Sequence, residues 1–198
     1  SFGDISTTSF FPAKPLGCYG DGGAVFTDND EWATLADSYR VHGKGMFKYD
    51  NVRIGMNSRL DTLQAAILKI KFKAFREYEL RDINKAAALY TRLLAGRVKT
   101  PVTPEGYYSS WAQYTICLNS REERDALQAC LKEQGIPSMV YYPTPMHGQT
   151  AYKALNAPTD CCPTAKRLCD TVLSLPEHPY ITEEEIETVC SVILGFVR

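Results

Sequence analysis

Residues 59 to 95 contain neither proline nor glycine, and that stretch constrains the fold more than any other feature of the chain. Leu60, Leu63, Ile67, Ile70 and Ala74 fall at i, i+3, i+7, i+10 and i+14, and Leu80, Ile83, Ala87, Tyr90 and Leu94 repeat the spacing. This period predicts one long helix, or two joined by a bend near Glu77. At 1.5 Å per residue such an arm reaches roughly 50 Å. A chain of 198 residues cannot cover it alone, so the arm is expected to bridge to another domain or subunit.

The flanks read as smaller elements. Ile5 to Phe11 is rich in Thr, Ser and Phe, a glycine-rich stretch runs from Gly17 to Gly23, and Ala24 to Phe26 is apolar, which is the order strand, loop, strand. Asp28 or Asp30 is the expected cap of a helix from Glu31 to His42 closed by Gly43, and the polar segment Lys44 to Asn57 is expected to be a loop. A boundary follows at Gly96 to Gly106, which holds Pro101 and Pro104. Beyond it, Gln113 to Leu118 alternates like a strand. Ser120 and Glu123 form a capping-box pattern for a helix ending at Gly135, and Ser138 to Tyr142 is expected as the second strand. Thr182 and Glu185 repeat the capping pattern before a helix with Ile186, Val189, Cys190, Ile193 and Val197 on one face. The fold class is therefore α/β. The expected divisions are residues 1–58, a linking helix or helix pair over 59–95, and a small C-terminal α/β domain over 96–198.

Charge and cysteine usage remove several functions. Twenty-two Lys plus Arg against twenty-three Asp plus Glu leave a net charge of −1, with no basic run to attract nucleic acid or an anionic membrane. No apolar run approaches the roughly 20 residues of a membrane span. The opening residues lack the charged and apolar regions of a signal peptide, and the cysteine usage sets the expectation of a cytoplasmic address. Seven cysteines are irregularly spaced, without any C-x-x-C pair, and the histidines stand apart at 42, 147 and 178. No metal site is expected from that pattern, and buried free thiols in a reducing compartment are.

One segment could carry covalent chemistry. In Ser9-Phe10-Phe11-Pro12-Ala13-Lys14-Pro15-Leu16-Gly17 a lysine is held between two prolines, and a glycine cluster follows to Gly23. The two phenylalanines are expected to put apolar surface near the amine, which favours its neutral, nucleophilic form. Read from composition alone, a solvated lysine beside a glycine hairpin is the commoner arrangement. The glycines match neither G-x-G-x-x-G nor a P-loop.

The sixteen residues S-F-F-P-A-K-P-L-G-C-Y-G-D-G-G-A, from Ser9 to Ala24, resemble the lysine motif of the DegT/DnrJ/EryC1/StrS sugar aminotransferases. Arg53 to Ala66 resembles a second signature of that family, and Tyr142 to His147 a third. The resemblance implies a fold-type-I enzyme dependent on pyridoxal 5′-phosphate (PLP). The chain corresponds to the C-terminal half only, so a fragment is expected: the end of the large cofactor domain, the linking helix and the small domain. By itself it is expected to bind PLP poorly and to be inactive.

By the same resemblance Lys14 is the residue that forms the Schiff base and moves a proton as general acid and base. Ser9 binds the cofactor phosphate, and Asn57 reaches the phosphate of a neighbouring subunit's cofactor, which implies a homodimer. From residue type alone, Asn57 also suits a helix cap before Leu60. Arg59, Tyr142 and His147 are the implied substrate-binding residues. A helix-end ion pair for Arg59, a core position for Tyr142 and a surface position for His147 are the plainer alternatives. His42 matches a family-like position without an evident physical role.

The reaction implied is transfer of an amino group, with glutamate as the expected donor, to a nucleotide-linked keto-sugar. The segment P-L-G-C-Y-G-D-G-G looks closest to enzymes acting on UDP-linked 2-acetamido-3-keto-glucuronate in bacterial surface-polysaccharide assembly. Those tend to carry His-Tyr-Pro where this chain has Tyr141-Tyr142-Pro143. A non-catalytic dimerisation module and a regulator on the same fold are the rival readings.

Overall fold

The computed structural model describes residues 3–156, 158 and 161–197. The chain divides between Glu77 and Tyr78 into two compact units.

In the first unit, β1 (Ser6–Ser9) pairs antiparallel with β2 (Gly23–Phe26), Ser6 opposite Phe26 and Ser9 opposite Gly23. Helix α1 spans Asp30–Tyr39. Its cap is Asn29, not the expected Asp28 or Asp30: Asn29 has the extended backbone a cap requires, and its side chain accepts from Trp32 N at 3.0 Å. The helix also ends three residues before His42, because His42 and Gly43 both take positive φ, 60° and 73°. Helix α2 (Thr62–Ala74) begins later than position 59, since Asp61 caps it by accepting from Leu63 N at 2.7 Å.

The bend expected near Glu77 is a π-helical turn, Phe75–Glu79, through which α2 runs on into α3 (Leu80–Leu94). Such a wider turn inserts a residue without breaking the helix.

The second unit comprises α3, β3 (Tyr114–Cys117), α4 (Arg121–Glu133), two 3-10 turns (Met146–Gly148 and Thr150–Leu155), α5 (Pro163–Thr171), β4 (Val172–Leu175) and α6 (Glu183–Phe196). Strand β3 pairs antiparallel with β4, Tyr114 opposite Leu175 and Cys117 opposite Val172. The second strand is thus not Ser138–Tyr142, which contributes a single bridge between Met139 and Ser174. Pro137 and Pro143 flank that segment and lack the N–H a longer ladder needs. The capping box at Thr182 is complete, whereas at Ser120 only the cap's own half forms and Glu123 reaches the residue before the cap. Ser120 Oγ accepts from Glu123 N at 3.2 Å while Glu123 accepts from Asn119 N at 2.8 Å. Thr182 and Glu185 exchange the reciprocal pair at 3.2 and 2.8 Å.

The core of this unit is built on the predicted stripe. Ala87, Tyr90 and Leu94 of α3 join Tyr114 and Ile116 of β3, Leu127 and Leu131 of α4, and Ile186 and Ile193 of α6 in one buried cluster. Burying each such large side chain is worth about 1.5–3 kcal/mol. The Tyr90 and Tyr114 rings stack at 5.0 Å, and their hydroxyls are satisfied by Pro176 O at 2.9 Å and Thr91 Oγ1 at 2.8 Å. Burial pushes the Tyr114 phenol up to about 12. Glu177, just past β4, breaks the pattern. Both of its carboxylate oxygens are buried, and neither finds a hydrogen-bond partner among the described residues. Burial raises this carboxyl to about 8.

Candidate active site

The lysine sits on a turn that the backbone closes by itself. Lys14 N donates to Phe11 O at 2.8 Å, making a β-turn with Pro12 at its second position, where the fixed φ of proline is favoured. Cys18 N then donates to Phe10 O, and Phe10 N to Gly22 O, each at 2.8 Å, so the loop is clamped at the end of the β1–β2 hairpin. A Cβ at buried Gly17 would lie 2.7 Å from the carbonyl oxygens of Phe11 and Pro12, so only glycine permits this closure. Ser9 shares the turn: its hydroxyl is exposed and accepts from Phe11 N at 3.2 Å. Lys14 is partly buried and Phe11 is 52% exposed. The apolar surround expected of the two phenylalanines is therefore not closed around the amine within this unit.

One positioning residue escaped the sequence reading. Gln64 of α2 accepts from Tyr19 N at 2.7 Å, and Gly20 lies against the same side chain, so the helix holds the lysine loop by an amide. The available signal was a glutamine four residues after Leu60, interrupting an apolar helical stripe.

Asn57 and Arg59 are placed by the loop before α2. Its return strand is stitched to the end of α1: Met56 N donates to Tyr39 O at 2.8 Å, Ser58 N to Arg40 O at 2.9 Å, and His42 N to Met56 O at 2.9 Å. Buried Ser38 donates to Lys44 O at 2.6 Å and accepts from the Arg53 guanidinium. A Cβ at Gly43 would stand 1.8 Å from Arg53 O, so the loop closes only over a glycine there. Arg59 Nε donates to Asn57 Oδ1 at 3.1 Å, which brings these two predicted residues together. The helix cap is Asp61, so Asn57 does not serve in that role. Asn57 and Arg59 line a cleft of about 1190 Å³ with Thr7, Thr8 and Asp21. Lys14 and Ser9 are not among its lining residues.

Tyr142 and His147 belong to the second unit. Tyr142 is 66% exposed, so it is not a core tyrosine, and its ring meets that of Tyr141 edge-on at 5.6 Å. His147 is half-buried in the first 3-10 turn, and its ring approaches Cys161 and Cys162. The thiols also differ from expectation. Among the described residues no disulfide is formed, but only Cys18 and Cys190 are buried, and Cys161 and Cys162 are exposed.

A profile of the DegT/DnrJ/EryC1/StrS aminotransferase family matches residues 1–194. The chain belongs to that family. It is 42% identical over 190 residues to the UDP-2-acetamido-2-deoxy-3-oxo-D-glucuronate aminotransferase of Pseudomonas aeruginosa, covering 96% of this chain and 51% of that protein. It is 44% identical over 200 residues to a pleiotropic regulatory protein of Geobacillus stearothermophilus, covering 99% and 52%. Its backbone is similar to that of a DegT/DnrJ/EryC1/StrS aminotransferase from Brucella abortus, with a TM-score of 0.92, 47% identity and coverage of 99% and 52%. NtdA from Bacillus subtilis, solved with bound cofactor PMP, matches with a TM-score of 0.87 at 28% identity, covering 98% and 46%. The chain thus spans about half the length of the relatives it matches, and its mixed α/β fold is that of this family.

The DegT/DnrJ/EryC1/StrS frame can be tested against the donors present. A primary amine on a rigid turn and a hydroxyl five residues before it are groups suited to an aldehyde bearing a phosphate. They fit PLP. Among the described residues no helix is long and apolar enough to cross a membrane.

Proposed function

We propose that the whole protein is a PLP-dependent aminotransferase, moving an amino group from an amino acid, glutamate in the first instance, to the keto carbon of a nucleotide-linked sugar. The observation that carries this reading is Lys14 on a preformed turn, within a chain whose family match runs over residues 1–194. The Pseudomonas relative, whose name specifies a UDP-linked 3-oxo-glucuronate, supports a UDP-3-keto-sugar as substrate.

PLP supplies, when bound, an electron sink for the carbanion formed at the substrate carbon. Lys14 Nζ takes the proton from that carbon and returns it on the other side of the transfer, a general acid–base role. Its rigid turn fixes the amine's approach. Ser9 Oγ donates to the cofactor phosphate. Asn57 donates to the phosphate held by a second copy of the protein, which makes a homodimer part of the reading, and Arg59 forks onto an anionic group of the sugar nucleotide. Tyr142 is proposed as a sugar-nucleotide contact on the family resemblance alone. His147 is proposed as a second such contact on the same ground. A cytoplasmic location accords with the reading.

The test is transamination by the whole protein carrying Lys14→Ala. We expect a loss of about 10²–10⁴-fold or more, the share a positioned acid–base group supplies. Undiminished turnover overturns the assignment.

A further inference from the structure

We infer that His147, Cys161 and Cys162 form a binding site for a thiophilic cation, zinc(II). One ligand atom from each residue lies within 4.8 Å of the other two. The two Sγ atoms are 3.8 Å apart. Two thiolates bound to one tetrahedral zinc at about 2.3 Å each stand roughly 3.8 Å from one another, so the thiols already have the separation the metal requires. The imidazole needs only a small approach to complete three ligands, and water takes the fourth position.

Local backbone fixes each donor. His147 sits in a turn closed by Gly148 N donating to Pro145 O at 2.9 Å. Cys161 N donates to Pro158 O at 3.1 Å, and the carbonyl of Cys162, the residue capping α5, accepts from Lys166 N at 3.1 Å. Both cysteines are exposed, so a cation can enter without opening the fold. One nitrogen and two sulfurs are soft donors, which disfavours magnesium and calcium and suits zinc. Binding releases the proton of each thiol, so affinity rises with pH. Zinc binding by these three residues is independent of the chemistry proposed for Lys14 and is tested without an activity assay.

The experiment titrates cobalt(II) into the full chain, stripped of metal and kept reduced, and then displaces it with zinc(II) against a chromophoric chelator. The expected result is one equivalent bound, with a thiolate-to-cobalt charge-transfer band. Cys161→Ser and Cys162→Ser each abolish the band, and His147→Ala weakens zinc binding at least about tenfold. Cys130→Ser and Cys169→Ser leave both readouts unchanged. Equal uptake by the parent and the Cys161→Ser, Cys162→Ser double variant overturns the site. So does a band that survives His147→Ala at full affinity. Circular dichroism melts of the variants, with His147→Gln as a milder replacement, separate lost binding from lost folding.

Discussion

His42 carries φ of 60°, a left-handed backbone that costs an L-residue about 1–2 kcal/mol, while its N–H holds the Met56 carbonyl at 2.9 Å. The position asks for a backbone shape and not for an imidazole, which explains why the sequence offered no role for it. His42→Gly is therefore expected to stabilise the chain by about 0.5–1 kcal/mol in urea unfolding, and His42→Val to destabilise it. Glu177 makes the opposite kind of demand. Its carboxyl is raised to about 8 in the folded chain, against 4.5 when unfolded. The folded state thus holds the proton more tightly, and stability falls as pH rises from about 4.5 to about 8. Glu177→Met should remove that dependence. At pH 8 the variant is expected to be more stable than the parent by about 1–3 kcal/mol, with little gain at pH 4.5. Paired urea titrations at the two pH values check this, and an equal difference at both would sink it.

At the scale of elements, legibility followed how local the signal is. Thr182 and Glu185 satisfy each other's backbone three residues apart, so their capping box could be read directly; Thr182→Ala should cost about 1 kcal/mol in thermal unfolding. Helix α3 was legible for a related reason, since one unit contains both its apolar stripe and the core that receives it. Strand β4 was not. Val172, Leu173, Ser174 and Leu175 are all buried, so no alternation marks the strand, and Ser174 looks polar only until its hydroxyl meets Thr115 Oγ1 at 2.8 Å. The hidden parts of the candidate site, Gln64 and the Ser38–Arg53 pair, act on backbone and side chains far along the chain, which no short window contains. The His147 and Cys161–Cys162 cluster is similar: spacing argued against a metal, and a fold that returns the chain past position 147 brings the donors together.

At the scale of the whole molecule, α2 and the loop before it carry much uncovered apolar surface. Ile54 is 95% exposed, Met46 90%, Ile70 76% and Leu63 74%. Water is a poor environment for so many large side chains, and such surfaces mark contacts with other protein. The chain is expected to self-associate at micromolar concentration in sedimentation velocity, and the double variant Ile54→Glu, Ile70→Glu to shift it toward monomer. An unchanged distribution would mean that this face does not mediate association. The hydrogen-bonded return from Arg40 to Ser58 bears on affinity. Because Asn57 and Arg59 hang from a segment already stitched to α1 and closed over Gly43, their backbone has little freedom left to surrender to the anion proposed for them. Recognition there carries a small ordering penalty, so loosening the stitching from a distance should weaken binding although no contact to the anion is removed.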